Sequence, residues 1–270
     1  MIAAFLFTGM LWISAHGPEK ESVDALTRAI RVDPGNARLY LRRAELLRHC
    51  RRFQDALDDV ERCLLLDPEA VDAHLTEAST LHDMGEMEQA LLAVDRSLGR
   101  TSNATSARVL RARILGRMRR HEEAVREYDS VLSALARPSP DLYLERLEAQ
   151  AERFPRDDEK ALAGLEQGMK KLGPIVALEL PALDLEIRLQ RFDPALARVE
   201  RLRRIAPRCD QWLVNKGKVL ASAGRSDEAR RSFLDALALL QSAPRKTSLR
   251  SVLTVQAREA LSVLEGGSRP

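Results

Sequence analysis

Apolar and polar positions alternate along most of this chain with the spacing of amphipathic helices. The stretch YLRRAELLRHCRRFQDALDDVERCLLLDP, residues 40–68, shows the pattern in full. One apolar run at helical spacing is interrupted at Arg51 and Arg52, and a second run ends immediately before Pro68. Because apolar residues three and four apart share one face of a helix, this pattern predicts two helices folded back on each other as a hairpin.

The hairpin pattern recurs with a period of 34 residues. Two Asp-Pro pairs, with prolines at 34 and 68, are separated by this interval, and so are the members of two sets of alanines. Those sets are Ala56, Ala90 and Ala124, and then Ala161, Ala195 and Ala229. The phase slips by three residues between the sets, near Pro138 and Pro140, which break helices. The sequence therefore predicts two repeat blocks, 17–138 and 175–243, on either side of a less regular repeat at 139–174.

Equivalent positions of the repeat predict the core. Small residues recur in the first helices of the hairpins, where a close helix crossing leaves no room for a larger side chain: Ala44, Ala78, Ala112 and Gly217. One apolar slot in the second helices is expected to fill the space between hairpins: Val60, Val94, Tyr128, Val199 and Phe233. Cys63 shares a slot with Ser97 and Ala236, so we expect it to be a core residue rather than a reactive thiol.

Five segments carry the same second-helix pattern: FQDALDDVERCLLLDP, MEQALLAVDRSL, HEEAVREYDSVL, FDPALARVERLRRIAP and SDEARRSFLDAL. In these segments and in its period, the chain resembles the tetratricopeptide repeat family over most of residues 17–243. The resemblance implies an all-α fold, a right-handed α-solenoid of helical hairpins. An amphipathic segment at 244–265 is expected to form a C-terminal capping helix over the apolar end of the stack, followed by a short tail at 266–270.

The first sixteen residues do not fit the repeat pattern. The segment AAFLFTGMLWISA is apolar on every side, so a simple repeat helix here would expose Phe7, Leu11 or Trp12 to water. Its strongly apolar part, about 13 residues, fits a signal peptide better than a membrane span of about 20. No Lys or Arg precedes the apolar run, however, so the usual basic start of a signal peptide is missing. Three interpretations stay open: an export signal, which we favour, a packed first helix, and a membrane anchor.

Composition changes this picture little. Aromatic residues make up 4% of the 270 residues while Ala, Leu, Arg and Glu dominate, which favours helices and predicts no sheet. The 43 basic and 40 acidic residues nearly cancel to a net charge of +3, so charge gives little support for nucleic-acid binding. Cys50, Cys63 and Cys209 form neither a disulfide framework nor a CxxC pair.

Recognisable catalytic and metal-binding motifs are missing from the sequence. HEEAV at His121 lacks the second His of a zinc-protease helix, and the chain has no GxxxxGK, GxGxxG or GxSxG motif. His49 and His82 lie near the ends of consecutive first helices, beside Cys50 and Asp83, but their spacing does not enforce the three or four convergent ligands that a metal needs. We therefore expect a non-enzymatic protein with no metal site and no cofactor.

Alignment of the hairpins predicts a partner-binding groove on the concave face built by the first helices. Its apolar floor is expected to comprise Leu41, Leu75, Val109, Leu180 and Val214. Its charged rim is expected to comprise Arg38, Arg48, His49, His82, Asp83, Arg113, Arg117, Arg188 and Lys218. An aliphatic floor with a mixed charged rim suits an amphipathic segment of another protein. The alternative is that the aliphatic row packs inside the hairpins or under the terminal helix.

Arginines also recur in the turn between paired helices, at Arg52, Arg120, Arg191 and Arg225. Stacking of the hairpins would align them as a basic edge, which we expect to serve solubility first.

The predicted function is a scaffold or adaptor that binds a protein or peptide partner through the groove, exported in a bacterium to the periplasm or beyond. A cytoplasmic or membrane-associated location is the alternative. Two other functions are kept as alternatives: a membrane-associated assembly factor held by residues 1–16, and a helical repeat that binds RNA.

Overall fold

The computed structural model describes residues 18–100, 105–152, 156–206, 211–242 and 248–266. These residues form fourteen helices and no strand, so the predicted all-α fold is confirmed. The helices are α1 Pro18–Val32, α2 Ala37–His49, α3 Phe53–Leu66, α4 Val71–Met84, α5 Met87–Arg100, α6 Thr105–Arg117, α7 His121–Ala134, α8 Pro140–Ala151, α9 Asp158–Leu172, α10 Val176–Arg188, α11 Phe192–Ile205, α12 Gln211–Ser222, α13 Ser226–Ser242 and α14 Ser248–Gly266. The opening segment, with its three interpretations, and Cys209 lie outside the described residues.

The chain divides into two compact units, Met1–Met118 and Arg119–Pro270. In unit 1, helices α1 to α6 pack in chain order, each against the next, and α4 also contacts α2 and α6. In unit 2, helices α7 to α14 pack in the same way, with further contacts from α8 to α10 and from α12 to α14. Contacts between every second helix place first helices side by side, which is the arrangement of stacked helical hairpins.

The turns between paired helices repeat one backbone device. A residue in each of five turns takes the left-handed conformation: Arg51 (φ 60°), Gly85 (φ 95°), Arg119 (φ 60°), Gln190 (φ 58°) and Gly224 (φ 73°). The next amide then donates back to a carbonyl five residues earlier, from Arg52 to Leu47 and from Glu86 to Leu81, both at 2.9 Å. This Schellman pattern satisfies carbonyl groups that the end of a helix leaves unpaired.

The residues predicted from the repeat to be small or apolar lie in the core. Ala44, Ala78 and Ala112 have no exposed surface, and the second-helix slot from Val60 to Phe233 is at most 3% exposed. Cys63 is also buried, as are Ser97 and Ala236 in the equivalent positions. These core predictions are confirmed.

The last helix covers the end of the core of unit 2. Leu253, Ala257 and Leu261 of α14 are buried in one cluster with Phe233 and Leu240 of α13. Among the described helices, none is both long and apolar enough to span a membrane.

Candidate functional site

Two neighbouring hollows lie among the first helices of unit 1, on α2, α4 and α6. One hollow, of about 350 Å³, is lined by Arg48, His49, Arg51, Phe53, Asp83 and Arg117. The other, of about 250 Å³, is lined by Arg48, Leu75, Ser79, His82, Asp83, Ser106, Leu110 and Arg113. Because Arg48 and Asp83 line both hollows, we treat them as one feature, the first-helix site.

The basic residues of the first-helix site have a local reason to be where they are. Arg48 and His49 lie in the last turn of α2, His82 in that of α4, and Arg117 in that of α6. The carbonyl end of a helix carries a partial negative charge, which favours basic side chains in the last turn. Since the C-terminal ends of α2, α4 and α6 lie near one another around the hollows, the basic residues of the three last turns lie close together.

Hydrogen bonds join the three helices across the site. The guanidinium of Arg48 donates to a carboxylate oxygen of Asp83 at 2.6 Å, and that of Arg117 donates to the carbonyl oxygen of His82 at 3.2 Å. The first bond links α2 to α4 and the second links α4 to α6, so both residues are held in place.

The charge of the first-helix site is strongly unbalanced. Four arginines line the two hollows, whereas Asp83 is the one carboxylate among the lining residues. Asp83 already accepts from Arg48, and its other oxygen lies 3.4 Å from the ring of His82. A bound anionic group would therefore meet guanidinium donors and a positive potential, whereas a bound cation would be repelled.

The second hollow also has an apolar wall. Leu110 is buried, and Leu75 is half-buried against the core that contains Ala78 and Leu81. The Nε2 atom of His82 is buried without a hydrogen-bond partner in the part of the chain that the structure describes. The site thus offers an aliphatic contact and an unsatisfied polar atom beside its charges.

The other predicted groove residues of unit 1 do not line the hollows. Leu41 is half-buried against the core around Tyr40 and Ala44. Val109 is half-buried on α6, and Arg38 is exposed near the start of α2. They flank the site on the same helices rather than forming it.

The predicted groove residues of unit 2 are described separately. Leu180 is half-buried against the core around Leu183 and Val199. Val214 has no exposed surface, because it is enclosed in the cluster that α14 completes, so the prediction that it faces a groove is wrong. Lys218 donates to Gln256 on α14 at 3.1 Å.

Arg188 makes a two-bond ion pair with Asp158, at 2.8 and 2.9 Å. These bonds from Arg188 lower the pKa of Asp158 below its ordinary value, although partial burial acts in the opposite direction. Arg188, one of the residues expected at the rim of the groove, is therefore already bonded within unit 2.

Five residues of the first-helix site were missed by sequence reasoning: Arg51, Phe53, Ser79, Ser106 and Leu110. Helical spacing could have found two of them, because Ser79 lies four residues after Leu75 and Ser106 lies three before Val109. Arg51 lies in the turn after α2, whose left-handed residue is not a Gly, and Phe53 is the first residue of α3. No simple sequence pattern would have placed them.

The predicted basic edge is neutralised by neighbouring acids. Arg52, Arg120 and Arg225 each bond a carboxylate three residues later, at 2.6 to 2.7 Å, and Arg191 pairs with Glu159 at 2.8 Å. Within the described ranges, no cluster of three or more His, Cys, Asp and Glu residues could hold a metal ion.

Comparison with known proteins matches two stretches of the chain to a repeat family. The family model described as Tetratricopeptide repeat matches residues 20–62 and 180–244. No curated protein sequence matches the chain.

Several solved structures share the fold. The C-terminal part of a TPR repeat-containing protein from Cytophaga hutchinsonii superposes with a TM-score of 0.71 at 12% identity, over 90% of this chain and 94% of that one. PilF of Pseudomonas aeruginosa superposes with a TM-score of 0.54 at 14% identity, over 92% of this chain and 100% of that one. A tetratricopeptide repeat protein from Parabacteroides merdae superposes with a TM-score of 0.53 at 17% identity, over 89% of this chain and 92% of that one. At such identities the likeness concerns the fold alone.

Proposed function

We propose that this chain, a tetratricopeptide repeat protein, is a scaffold that holds a segment of another polypeptide at the first-helix site of unit 1. Stacked helical hairpins generally present extended surfaces for binding other proteins. The observation that supports this particular site is the meeting of four arginines and one aspartate around two joined hollows with an aliphatic wall.

The chemistry of the site suggests what the bound segment contains. An aliphatic side chain of the partner would pack against Leu75 and Leu110, where loss of water gives most of the affinity. A neighbouring Asp or Glu would accept hydrogen bonds from Arg113 or Arg117, which fixes the register and excludes basic segments. The proposed ligand is therefore a segment with acidic and aliphatic side chains close together.

Charge reversal at the site tests this proposal. The variant Arg113→Glu/Arg117→Glu changes two exposed side chains of α6, so the fold should survive. In pull-downs from the native host, we expect the variant to capture at least about tenfold less partner than the unaltered chain. A tenfold loss of affinity corresponds to about 1.4 kcal/mol of binding free energy. The matched control is Arg203→Glu/Arg204→Glu, in the last turn of α11.

The control variant should capture the partner as the unaltered chain does, and both variants should show the same helical content by circular dichroism. If the α6 variant and the control capture equal amounts of the same protein, the proposal is wrong. Raising the salt concentration should weaken capture by the unaltered chain, because screening acts on exposed charges.

A further inference from the structure

A hydrogen bond recurs at the junctions between successive hairpins. An arginine of a first helix donates to a polar residue on the helix that precedes it in the chain. Arg43 donates to Thr27 at 3.0 Å and Arg111 to Asp95 at 2.7 Å, each across 16 residues of sequence. Arg146 donates to Asp129 across 17 residues. Each of these bonds bridges the crevice between two successive helices.

The junction between α3 and α4 lacks this bond. The equivalent positions hold Glu61 and Glu77, also 16 residues apart, and two carboxylates can neither bond to each other nor attract. Glu77 is held instead by Arg96 at 2.7 Å and by His74 at 3.3 Å. Glu61 is exposed and has no hydrogen-bond or ion-pair partner among the residues that the structure describes.

The crevice at this junction remains open. It forms a hollow of about 420 Å³, which we call the outer groove, lined by Leu57, Val60, Glu61, Leu64, Leu65, Glu77, Leu81 and Gln89. Its wall is aliphatic apart from Gln89 and the two glutamates. The first-helix site uses Leu75, Ser79 and His82 of α4, whereas the outer groove uses Glu77 and Leu81, so the two sites lie on different faces of that helix.

A large leucine lies at the wall of the outer groove in a position where the other repeats avoid one. Leu65 is 67% exposed. Stepping through the repeat, its equivalents are small or charged: Arg31, Gly99, Ser133, Lys170, Arg204 and Ala238.

A second exposed leucine, like Leu65, lies at a position where the other repeats have small or charged residues. Leu92, on α5, is 64% exposed and lies one helical turn after Gln89 of the groove wall. Its equivalents are Asp24, Asp58, Arg126, Ala163, Ala197 and Arg231. Two neighbouring repeats therefore expose a leucine at positions that hold small or charged residues in the other repeats, and both leucines lie beside the same apolar hollow. Exposed aliphatic surface around a groove is a feature of contact surfaces.

We propose that the outer groove binds an amphipathic helix of a partner protein, with aliphatic side chains on one face and an Arg or Lys among them. The basic residue would lie between Glu61 and Glu77 and make the bond that Arg43 and Arg111 make at their own junctions. The aliphatic residues would pack against Leu64, Leu65 and Leu92. A helix suits the groove because its side chains at i and i+4 reach along one apolar stripe, the usual mode of helix-in-groove recognition.

The direct test uses a fluorescent helical peptide of about four turns with Leu at i and i+4 and one Arg between them. Two further peptides carry Gln or Glu in place of the Arg. Fluorescence anisotropy with the full chain should give the tightest binding for the Arg peptide and at least about tenfold weaker binding for the Glu peptide. Equal binding of the three peptides, or no binding of any, would overturn the proposal.

Variants of the chain locate the binding. Leu65→Ser and Leu92→Asp introduce residue types already present at equivalent positions, Ser133 and Asp58. Each substitution should weaken binding of the Arg peptide at least about tenfold. Glu61→Gln should abolish the preference for Arg over Gln. The matched controls Leu234→Ser and Asp235→Asn, both exposed on α13, should bind as the unaltered chain does. Retained affinity in Leu65→Ser and Leu92→Asp would place the peptide elsewhere.

Two other occupants are distinguishable in the same experiments. If the Arg peptide binds only after residues 1–17 are removed, that apolar segment is the occupant and the partner helix is not. If the chain forms dimers in sedimentation velocity that Leu65→Ser abolishes, a second copy occupies the groove. Either result would replace the proposed partner.

Discussion

Gly217 and Phe233 show how tightly the core couples individual residues. A Cβ atom on Gly217 would lie 2.5 to 2.7 Å from ring atoms of Phe233, far inside contact distance. Elsewhere in the repeat, Ala44 and Ala78 occupy the small position, while the slot held by Phe233 is filled by Val60 and Val94. The larger ring is accommodated because its partner has lost its only side-chain carbon.

Gly217→Ala should therefore destabilise the protein by about 1–3 kcal/mol, because the added carbon overpacks a filled core. Urea denaturation measures the change. Gly116→Ala, in α6, is the control, since a Cβ there meets no heavy atom within 4 Å. That substitution should stabilise by about 0.5–1 kcal/mol through lower entropy of the unfolded chain. Equal effects of the two substitutions would contradict the packing argument.

Arg198 is buried between two carboxylates of α10. It donates to Glu186 at 2.8 and 2.6 Å and to Glu179, and all three residues are at most 3% exposed. Burial alone would lower the pKa of Arg198, but the bonds and charges of Glu186 and Glu179 outweigh it and raise that pKa above its ordinary value. Arg198 therefore stays charged and neutralises part of a buried acidic cluster.

Arg198→Met should cost about 3–5 kcal/mol of unfolding free energy, because it leaves the buried carboxylate of Glu186 without its partner and Glu179 with Arg201 alone. The control Arg203→Met removes an exposed pair with Glu200 and should cost no more than about 1 kcal/mol. Chemical denaturation of both variants checks the difference, and a similar small cost for both would show that the buried cluster is not a stabilising unit.

At the scale of elements, the ion pair of Asp158 and Arg188 joins the first turn of α9 to the last turn of α10. The folded-state pKa of Asp158 lies below its ordinary value of 3.8, mainly because Arg188 donates to it. Its contribution to stability is therefore complete above that ordinary pKa and is lost as the pH falls through the lower, folded value.

Arg188→Gln should raise the pKa of Asp158 toward its ordinary value, which carboxylate NMR titration would detect. The variant should also lose less stability than the unaltered chain when the pH is lowered through the acidic range, since it has less of this stabilisation to lose. Arg203→Gln, in an exposed pair of α11, should leave the titration of Asp158 unchanged. An unshifted Asp158 in Arg188→Gln would refute the assignment.

The element pattern was predictable where apolar periodicity decides it, and not where a neighbour outside the period intervenes. Val214 was placed in the groove by stepping 34 residues from Leu180. It is buried because it is enclosed in one cluster with Leu253, Ala257 and Leu261 of α14, a helix outside the 34-residue pattern. The junction bonds, such as Arg111 to Asp95, were also missed, because their period is carried by charged residues outside the apolar stripe.

At the scale of the whole molecule, the division into two units predicts that a destabilising substitution in one unit acts on the stability of that unit alone. Leu253 of α14 is buried against the core of unit 2, whereas Val263 of the same helix is 74% exposed. Stability in stacked repeats comes largely from contacts between neighbours, so damage should spread only to adjacent helices.

Leu253→Ser should cost more than about 2 kcal/mol, through a cavity and a buried hydroxyl, and should speed amide exchange in α12 and α13. Exchange in α2 to α5 of unit 1 should stay unchanged. Val263→Ser is the control and should leave exchange as it was. Hydrogen–deuterium exchange with mass spectrometry distinguishes this outcome from a uniform acceleration, which would mean that the two units unfold as one.

The first-helix site was predictable in part at this scale. Seven of the predicted groove residues line the two hollows, because equivalent positions of adjacent first helices lie side by side: Arg48, His49, Leu75, His82, Asp83, Arg113 and Arg117. That they bind a partner stays a prediction. The 34-residue pattern does not predict which of the equivalent positions line a hollow, because that depends on the turn after α2 and on how far Leu75 is buried.

Site-specific photo-cross-linking tests the central claim most directly. A photoreactive residue is placed at Ser106 or Arg113, which are exposed in the first-helix site, and at Leu234 or Val263 as controls away from it. In the native host, we expect Ser106 and Arg113 to cross-link to one segment of another protein that carries acidic and aliphatic residues, and the controls to give no such product. Cross-links to that protein from the controls alone, with none from Ser106 or Arg113 in a folded chain, would contradict the proposed scaffold site.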